Sequence, residues 1–307
     1  MALLNPNQVL SQIEHGKSLD KAELSKINLQ GANLDHSSFV SAYLRRANLA
    51  DSSCQGADFS DATLYFGVLS HGKFVNAKLQ AAKLSSARLD GANFRSACLT
   101  KAKLQRTILD RFEAHNANLE HADFREASGI GINFTGASMQ WANLGAVNFF
   151  DADFSDANFR KGSLESAKLT DSIWHNANLE QVNFSRTCLV RADFTQADLV
   201  AANFRASQLK NSKFVYSQLV ETDLSNVIFK EVEFTETSLF SAHLEGASFS
   251  QVDFNRADLS HANLENTTWD RVEFSNCNVA GAIFSDAKGL TKEQKQWLKD
   301  NGALNVE

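Results

Sequence analysis

Eight histidines, four cysteines and one run of alternating acids are the residues whose chemistry could serve a reaction or a metal. A metal centre needs three or four donors converging on one point. His15, His36, His71, His115, His121, His175, His243 and His261 instead stand singly along the chain. His115 and His121, though near in sequence, fall at different phases of the repeat set out below. Cys54, Cys98, Cys188 and Cys277 show neither the CxxC spacing of zinc sites nor a disulfide framework. They read as reduced thiols of a cytoplasmic type of compartment. The run Phe149-Phe-Asp-Ala-Asp-Phe-Ser-Asp156 superficially matches a calcium loop. It lacks the glycine and the closing glutamate that an EF-hand needs, and the repeat accounts for its spacing. Phosphate-loop, dinucleotide, zinc-protease, nucleophile-elbow and kinase signatures are missing. The expectation is a non-enzyme with no catalytic residue, no cofactor and no metal.

What must position any functional residue is a five-residue period. Every fifth residue from Leu24 to Phe284 gives 53 centres, of which 46 are Leu or Phe; the others are Cys54, Ala114, Gly129, Met139, Trp174, Trp269 and Val279. Two places before each centre stands a small residue, most often Ala, as at Ala32, Ala42 and Ala47. Asn or Asp commonly comes directly before the centre, as at Asn33, Asn48, Asn93, Asp193 and Asn203, where it can bond backbone at a turn. Five residues advance about 500° on an α-helix, which would scatter the centres around the axis. On a flat strand an odd period sends successive centres to opposite faces. Within one unit, however, the centre and the residue two before it share a face of extended chain. The chain must therefore turn once per unit so that each centre points inward again, and stacked turns make a solenoid. Sorting the centres at a period of 20 isolates one column, Leu34 through Phe274, that is aromatic at 10 of 13 places, against 11 of 40 in the other three. One aromatic-rich side and three leucine-rich sides is what a four-sided coil would produce.

Units such as Gly31-Ala-Asn-Leu-Asp35 and Gln196-Ala-Asp-Leu-Val200 follow the pattern A-(D/N)-(L/F)-x-x and resemble the pentapeptide-repeat family over roughly residues 19–287. The resemblance implies an all-β fold, a right-handed quadrilateral β-helix. At about 13 coils and the ~4.8 Å strand spacing, the solenoid should be a rod roughly 60–65 Å long. Bulk should balance locally, with Phe112 at a small position offsetting Ala114 and Ile132 lying beside Gly129. The expected domains are 1–18, an N-terminal capping helix; 19–287, the β-helix; and 288–307, a C-terminal helix. Asn5-Pro6 starts the first helix, with Val9, Leu10 and Ile13 as its apolar stripe. Thr291-Lys-Glu-Gln294 reads as a capping box and Asn301-Gly302 as a helix stop. The C-terminal helix either caps the last coil or forms a dimer contact through Leu290, Trp297 and Leu298.

A net charge of −6 gives no drive toward nucleic acid, and none is expected to bind directly. The N-terminal stretch lacks a basic region and a long apolar core, so it is not read as a signal peptide. No apolar run nears the ~18 residues of a membrane span. The expectation is a soluble cytoplasmic protein, monomer or homodimer. Charge is uneven, however. Residues 70–112 hold nine Lys/Arg against two acids, net +7, and residues 213–275 hold four against eleven, net −7. From the acidic stretch Glu233, Glu236, Asp253 and Glu273 are candidate partner contacts. Outward apolar residues supply the rest: Tyr65 and Phe66 side by side, Ile130, Phe150 and Val190 in one outward column with Thr170, and Phe240 continuing from Val200 and Val220. A scaffold that presents charged and apolar faces to a protein partner needs nothing further. The family resemblance adds an alternative, a DNA mimic that modulates or protects DNA gyrase, since some members do so through an acidic rod. A bacterial effector or secretion-associated role is a further alternative.

Overall fold

The computed structural model describes residues 4–274 and 276–307. The first three residues of the expected N-terminal segment, and Ser275, lie outside the described residues. The chain divides into two compact units, Met1–Asn158 and Phe159–Glu307. Each is an all-parallel β-solenoid in which pairing runs at intervals of 20 residues. In the N-terminal unit one column of such pairs runs Glu23, Tyr43, Thr63, Lys83, Lys103, Asp123 and Asn143. Longer pairing appears where β1 (Ser128–Ile130) lies against β2 (Asn148–Phe150). In the C-terminal unit β3 (Lys168–Thr170), β4 (Cys188–Val190), β5 (Gln208–Lys210), β6 (Ile228–Lys230), β7 (Ser248–Ser250) and β8 (Thr268–Asp270) pair in that order.

The five-residue unit is a complete solution for its own backbone donors. In the unit 92–96, Ala92 N–H closes a turn on Leu89 C=O at 3.0 Å. Asn93 N–H donates to Gly72 C=O at 2.9 Å, and Phe94 and Ser96 donate to Glu113 and His115 at 2.6 and 3.1 Å. The fifth donor, Arg95 N–H, has no ladder partner and is taken by the Asn93 side chain at 3.0 Å. This explains the preference for Asn or Asp before the centre: it supplies the one acceptor that stacking does not. The residue two past the centre takes positive φ, 59° at Arg46 and 60° at Ser86. Such a conformation costs on the order of 1 kcal/mol for a side-chain-bearing residue. The same residue's N–H joins the ladder, as Ser86 does to Gln105 C=O at 2.9 Å, which offsets it.

Some corners are occupied by glycine for a second reason. His71 lies over the next turn's Gly91 (φ 63°), where a Cβ would sit 2.5 Å from His71 Nδ1. His36 with Gly56 and His261 with Gly281 repeat the arrangement. These histidines are thus held by packing at corners.

Leu and Phe centres fill both interiors, each contributing about 1.5–3 kcal/mol when fully buried. In the N-terminal unit, rings stack from Phe74 to Phe94 at 4.6 Å. Ala114 leaves the next place empty, and Phe112 fills it, 5.1 Å from Phe94 and 6.2 Å from Phe134. The expected exchange of bulk is therefore a continuous ring column. Ile132 likewise reaches toward Gly129, where a Cβ would lie 3.1 Å from Ile132 Cδ1 and 2.7 Å from Leu109 backbone. In the C-terminal unit Phe194, Phe214, Phe234 and Phe254 stack at 4.8, 5.1 and 5.2 Å. A second stack there, Phe229, Phe249 and Trp269 at 5.1 and 4.3 Å, meets the first edge-on, Phe229 to Phe234 at 5.4 Å.

Two short helices are present. α1 (Pro6–Glu14) begins at Asn5, whose side chain and that of Gln8 satisfy each other's backbone N–H, and it buries Val9. α2 (Lys292–Asp300) begins with the same reciprocal cap between Thr291 and Gln294 and buries Leu298. The helical reading of 288–307 is incomplete. After α2 the chain returns to the ladder, with Gly281 N–H donating to Gly302 C=O and Leu304 N–H to Ala282 C=O, both 2.8 Å. Residues 302–304 thus occupy donors and acceptors that would otherwise stand at an open edge.

Candidate interaction surfaces

The chemically capable residues are engaged structurally. Asp153 holds the Ser155 N–H at 2.8 Å and its hydroxyl at 2.6 Å, the ordinary role of an acid before a centre. His121 stacks on Trp141 at 5.1 Å, and His175 lies 3.2 Å from Asp193. All four cysteines are free. Burial pushes the thiols of Cys54 and Cys277 up to about 12, so neither is a nucleophile near neutral pH. Among the described residues no three His, Cys, Asp or Glu gather as metal ligands. No helix among them is long and apolar enough to cross a membrane. Beside α2 a cleft of about 420 Å³ is lined by Val272, Glu273, Phe274, Glu293, Gln294 and Trp297. Gln294 is already committed there, bonding Val272 C=O at 2.8 Å.

In the N-terminal unit the structure brings together two apolar groups. Ile130 and Phe150 pair directly across β1 and β2 and are 57% and 44% exposed, with exposed Ile108 one turn before. Phe66 is 48% exposed, with the guanidinium carbons of Arg45 and Arg46 each 5.8 Å from its ring centre. Tyr65 beside it is half-buried, and Tyr43, one turn earlier, is 52% exposed. The sequence reading passed over Tyr43, Trp141 and Tyr216, all exposed. Their signal was available, since each is an aromatic residue away from a centre.

In the C-terminal unit Val190 is half-buried between Thr170 and Lys210, so its apolar neighbourhood stops there. Val200, Val220 and Phe240 follow one another on successive turns, and the exposed Phe240 ring meets His261 edge-on at 5.6 Å. Glu233, Asp253 and Glu273 form one column through parallel bridges, with Lys213 before them. Glu236 is not in that column and is ion-paired with Arg256 at 3.0 Å. Leu290 and Leu298 are buried within this unit, and Trp297 stacks on Phe274 at 6.0 Å.

Two family models match most of the repeat region. A family model described as pentapeptide repeat region matches residues 187–264. One described as pentapeptide repeats in eight copies matches 18–64, 73–111, 115–149, 148–186 and 253–288. No curated protein matches the chain. Among solved structures it is similar to full-length QnrB1, a plasmid-mediated fluoroquinolone resistance protein, at 19% identity over 73% of this chain and 98% of that one, TM-score 0.27. It is similar to HetL, involved in heterocyst differentiation regulation in the cyanobacterium Nostoc, at 21% identity over 92% and 97%, TM-score 0.20. A pentapeptide repeat protein from the Arabidopsis thaliana thylakoid lumen is 28% identical over 42% and 82%, TM-score 0.20.

Proposed function

We propose that this chain, which belongs to the pentapeptide-repeat family, works as a non-enzymatic scaffold, recognising a protein partner through fixed outward faces. One observation carries this reading. Ile130 and Phe150 lie side by side and exposed on paired strands, outside an interior already filled by its own centres. Large apolar side chains that the core does not use are what a protein contact requires. Their backbone is fixed by the ladder, so little ordering entropy would oppose docking. The finer architecture belongs to the same proposal: right-handed, four-sided coils, about 13 by the repeat count, with α1 and α2 as caps rather than dimer contacts. The test is quantitative affinity capture from the native host with wild type and with the pair Ile130→Asp and Phe150→Asp. The wild type should retain a partner that the double variant loses while its unfolding temperature stays unchanged. An identical set of captured proteins would sink the reading.

The acidic column supports a second reading, modulation of DNA gyrase by DNA mimicry. Glu233, Asp253 and Glu273 repeat at the spacing of the turns, a regular line of negative charge. Titration of the purified protein into a gyrase supercoiling assay decides it. Unchanged supercoiling at every concentration removes it.

A further inference from the structure

We infer that one face of the N-terminal unit, formed by the units centred on Leu44, Leu64, Leu84 and Leu104, docks an acidic peptide segment of a partner protein. The inference rests on the scaffold reading and names the chemistry of a partner. Its basis is a missing acceptor. In many units the N–H just after the centre is held by Asn or Asp just before it, as Ser60 is by Asp58 at 3.0 Å. On this face that place is taken by Tyr43, Thr63, Lys83 and Lys103. The N–H groups of Arg45, Tyr65, Ser85 and Gln105 consequently have no acceptor among the described residues. Parallel bridges from Tyr43 through Lys103 put the four donors in one line, at a pitch of ~4.8 Å. The run is bounded on both sides. Glu23 holds the Ser25 N–H at 2.9 Å, and Asp123 holds that of Arg125 at 3.1 Å.

Charge on the same face points the same way. Between Glu23 and Asp123 it carries no carboxylate, while Arg45, Arg46, Lys83 and Lys103 stand on it without an ion pair among the described residues. Arg106 at its far side is already bound to Glu126 at 2.9 Å. The ligand chemistry is displayed by the chain itself, because Asp carboxylates occupy the equivalent N–H groups elsewhere, on Arg125 at 3.1 Å and Thr195 at 3.0 Å. An incoming Asp or Glu makes the same bond, strengthened by charge. The exposed rings of Tyr43 and Phe66 give apolar parts of the segment somewhere to rest. Three steps between four donors span about 14 Å, the reach of roughly four or five extended residues. An acidic peptide fits better than nucleic acid, because the groups that hold the equivalent N–H groups elsewhere in the chain are carboxylates, at Asp123 and Asp193.

The test is fluorescence anisotropy of the full chain against a labelled peptide of about six glutamates. A glutamine peptide and a single-stranded oligonucleotide of similar length serve as the comparison probes. The glutamate peptide should bind, more weakly at higher salt, and the glutamine peptide should not. The pair Lys83→Met and Lys103→Met, which removes charge without adding an acceptor, should weaken binding about tenfold. The pair Lys83→Asn and Lys103→Asn removes the same charge and also occupies the Ser85 and Gln105 N–H groups. It should weaken binding about tenfold further. Circular dichroism checks that both pairs fold. The inference is overturned by wild-type affinity in both pairs, by equal losses in the two, or by tighter binding of the oligonucleotide. Partner capture through Ile130 and Phe150 is a separate measurement. A wild type that does not bind the glutamate peptide yet captures a partner through Ile130 and Phe150 rejects this inference alone. A wild type that binds the peptide while the Ile130→Asp and Phe150→Asp pair captures an unchanged set rejects only the scaffold contact.

Discussion

The same phase of the repeat is used differently in the two units. In the N-terminal unit Tyr43, Thr63, Lys83 and Lys103 leave the following N–H groups without an acceptor among the described residues. In the C-terminal unit that phase reads Ser163, Asn183, Asn203, Asp223, His243 and Asn263. There Asn183, Asn203 and Asp223 hold the N–H groups of Ser185, Arg205 and Ser225, each at 2.9 Å. Yet the ladder continues unbroken past both, Lys83 to Lys103 as well as Asn183 to Asn203. The position before the centre is therefore dispensable for stacking. An exposed N–H can be left to solvent at modest cost, since the net worth of such a bond is only about 0.5–1.5 kcal/mol. That freedom lets one substitution convert a self-satisfied surface into one that demands an outside acceptor.

The two units differ outside a common kind of core, and substitutions in that core should have the largest effect in both. Phe112 and Phe204 are fully buried, one from a small position in the N-terminal unit and one from a centre in the C-terminal unit. Phe112→Ala and Phe204→Ala should each cost about 3–5 kcal/mol, read by denaturant unfolding. Adding Ala114→Phe to Phe112→Ala should recover a large part, because a ring returns to the gap between Phe94 and Phe134. A loss confined to one unit would break the comparison at its base.

Outside the core the expected changes are smaller and opposite in sign. Replacing Asn183, Asn203 and Asp223 together by alanine should destabilise the protein by about 1.5–4 kcal/mol, as three caps are lost. Lys83→Asn with Lys103→Asn should stabilise it by about 1 kcal/mol, as two caps are gained. Both are read as shifts of the unfolding midpoint. A destabilised Lys-to-Asn pair would show that this face cannot accept the cap its neighbours use.

Much of this was legible in the sequence, and the rest was lost for identifiable reasons. Centres, corner caps and the exchange between Phe112 and Ala114 follow from register alone. The open donors were missed because Lys83 and Lys103 register first as net charge along the chain. Their meaning lies in their place, each directly before a centre where a cap is otherwise found. The pairing of His71 with Gly91 had a signal too, a histidine 20 residues before a glycine at the same corner. The return of Gly302 and Leu304 to the ladder had none, because the tail carries no repeat unit and its pairing is decided by the edge it meets.

The smallest effect separates two kinds of cap within the protected regions. Asp193 is held below the ordinary carboxylate range: burial works against it, but bonds from the Thr195 hydroxyl and N–H and from His175 outweigh that. Asp123 is held low in the same way, burial being overcome by the Arg125 side chain and N–H and by Gln105. A carboxyl with a depressed folded value contributes stability that is complete above its unfolded value of about 3.9. That contribution is lost as pH falls through the folded value. Asn93 and Asn183 make the same cap without a titrating group. Hydrogen exchange, normalised to intrinsic rates, should therefore show the Arg125 and Thr195 N–H groups losing protection as pH falls from about 5 to below 3. Those of Arg95 and Ser185 should hold theirs over the same range. The difference should stay below about 1 kcal/mol, the worth of one exposed bond. Equal loss at all four would mean that acid loosens the ladder itself, and the distinction between capped and open faces would then rest on the backbone rather than on the residue before the centre.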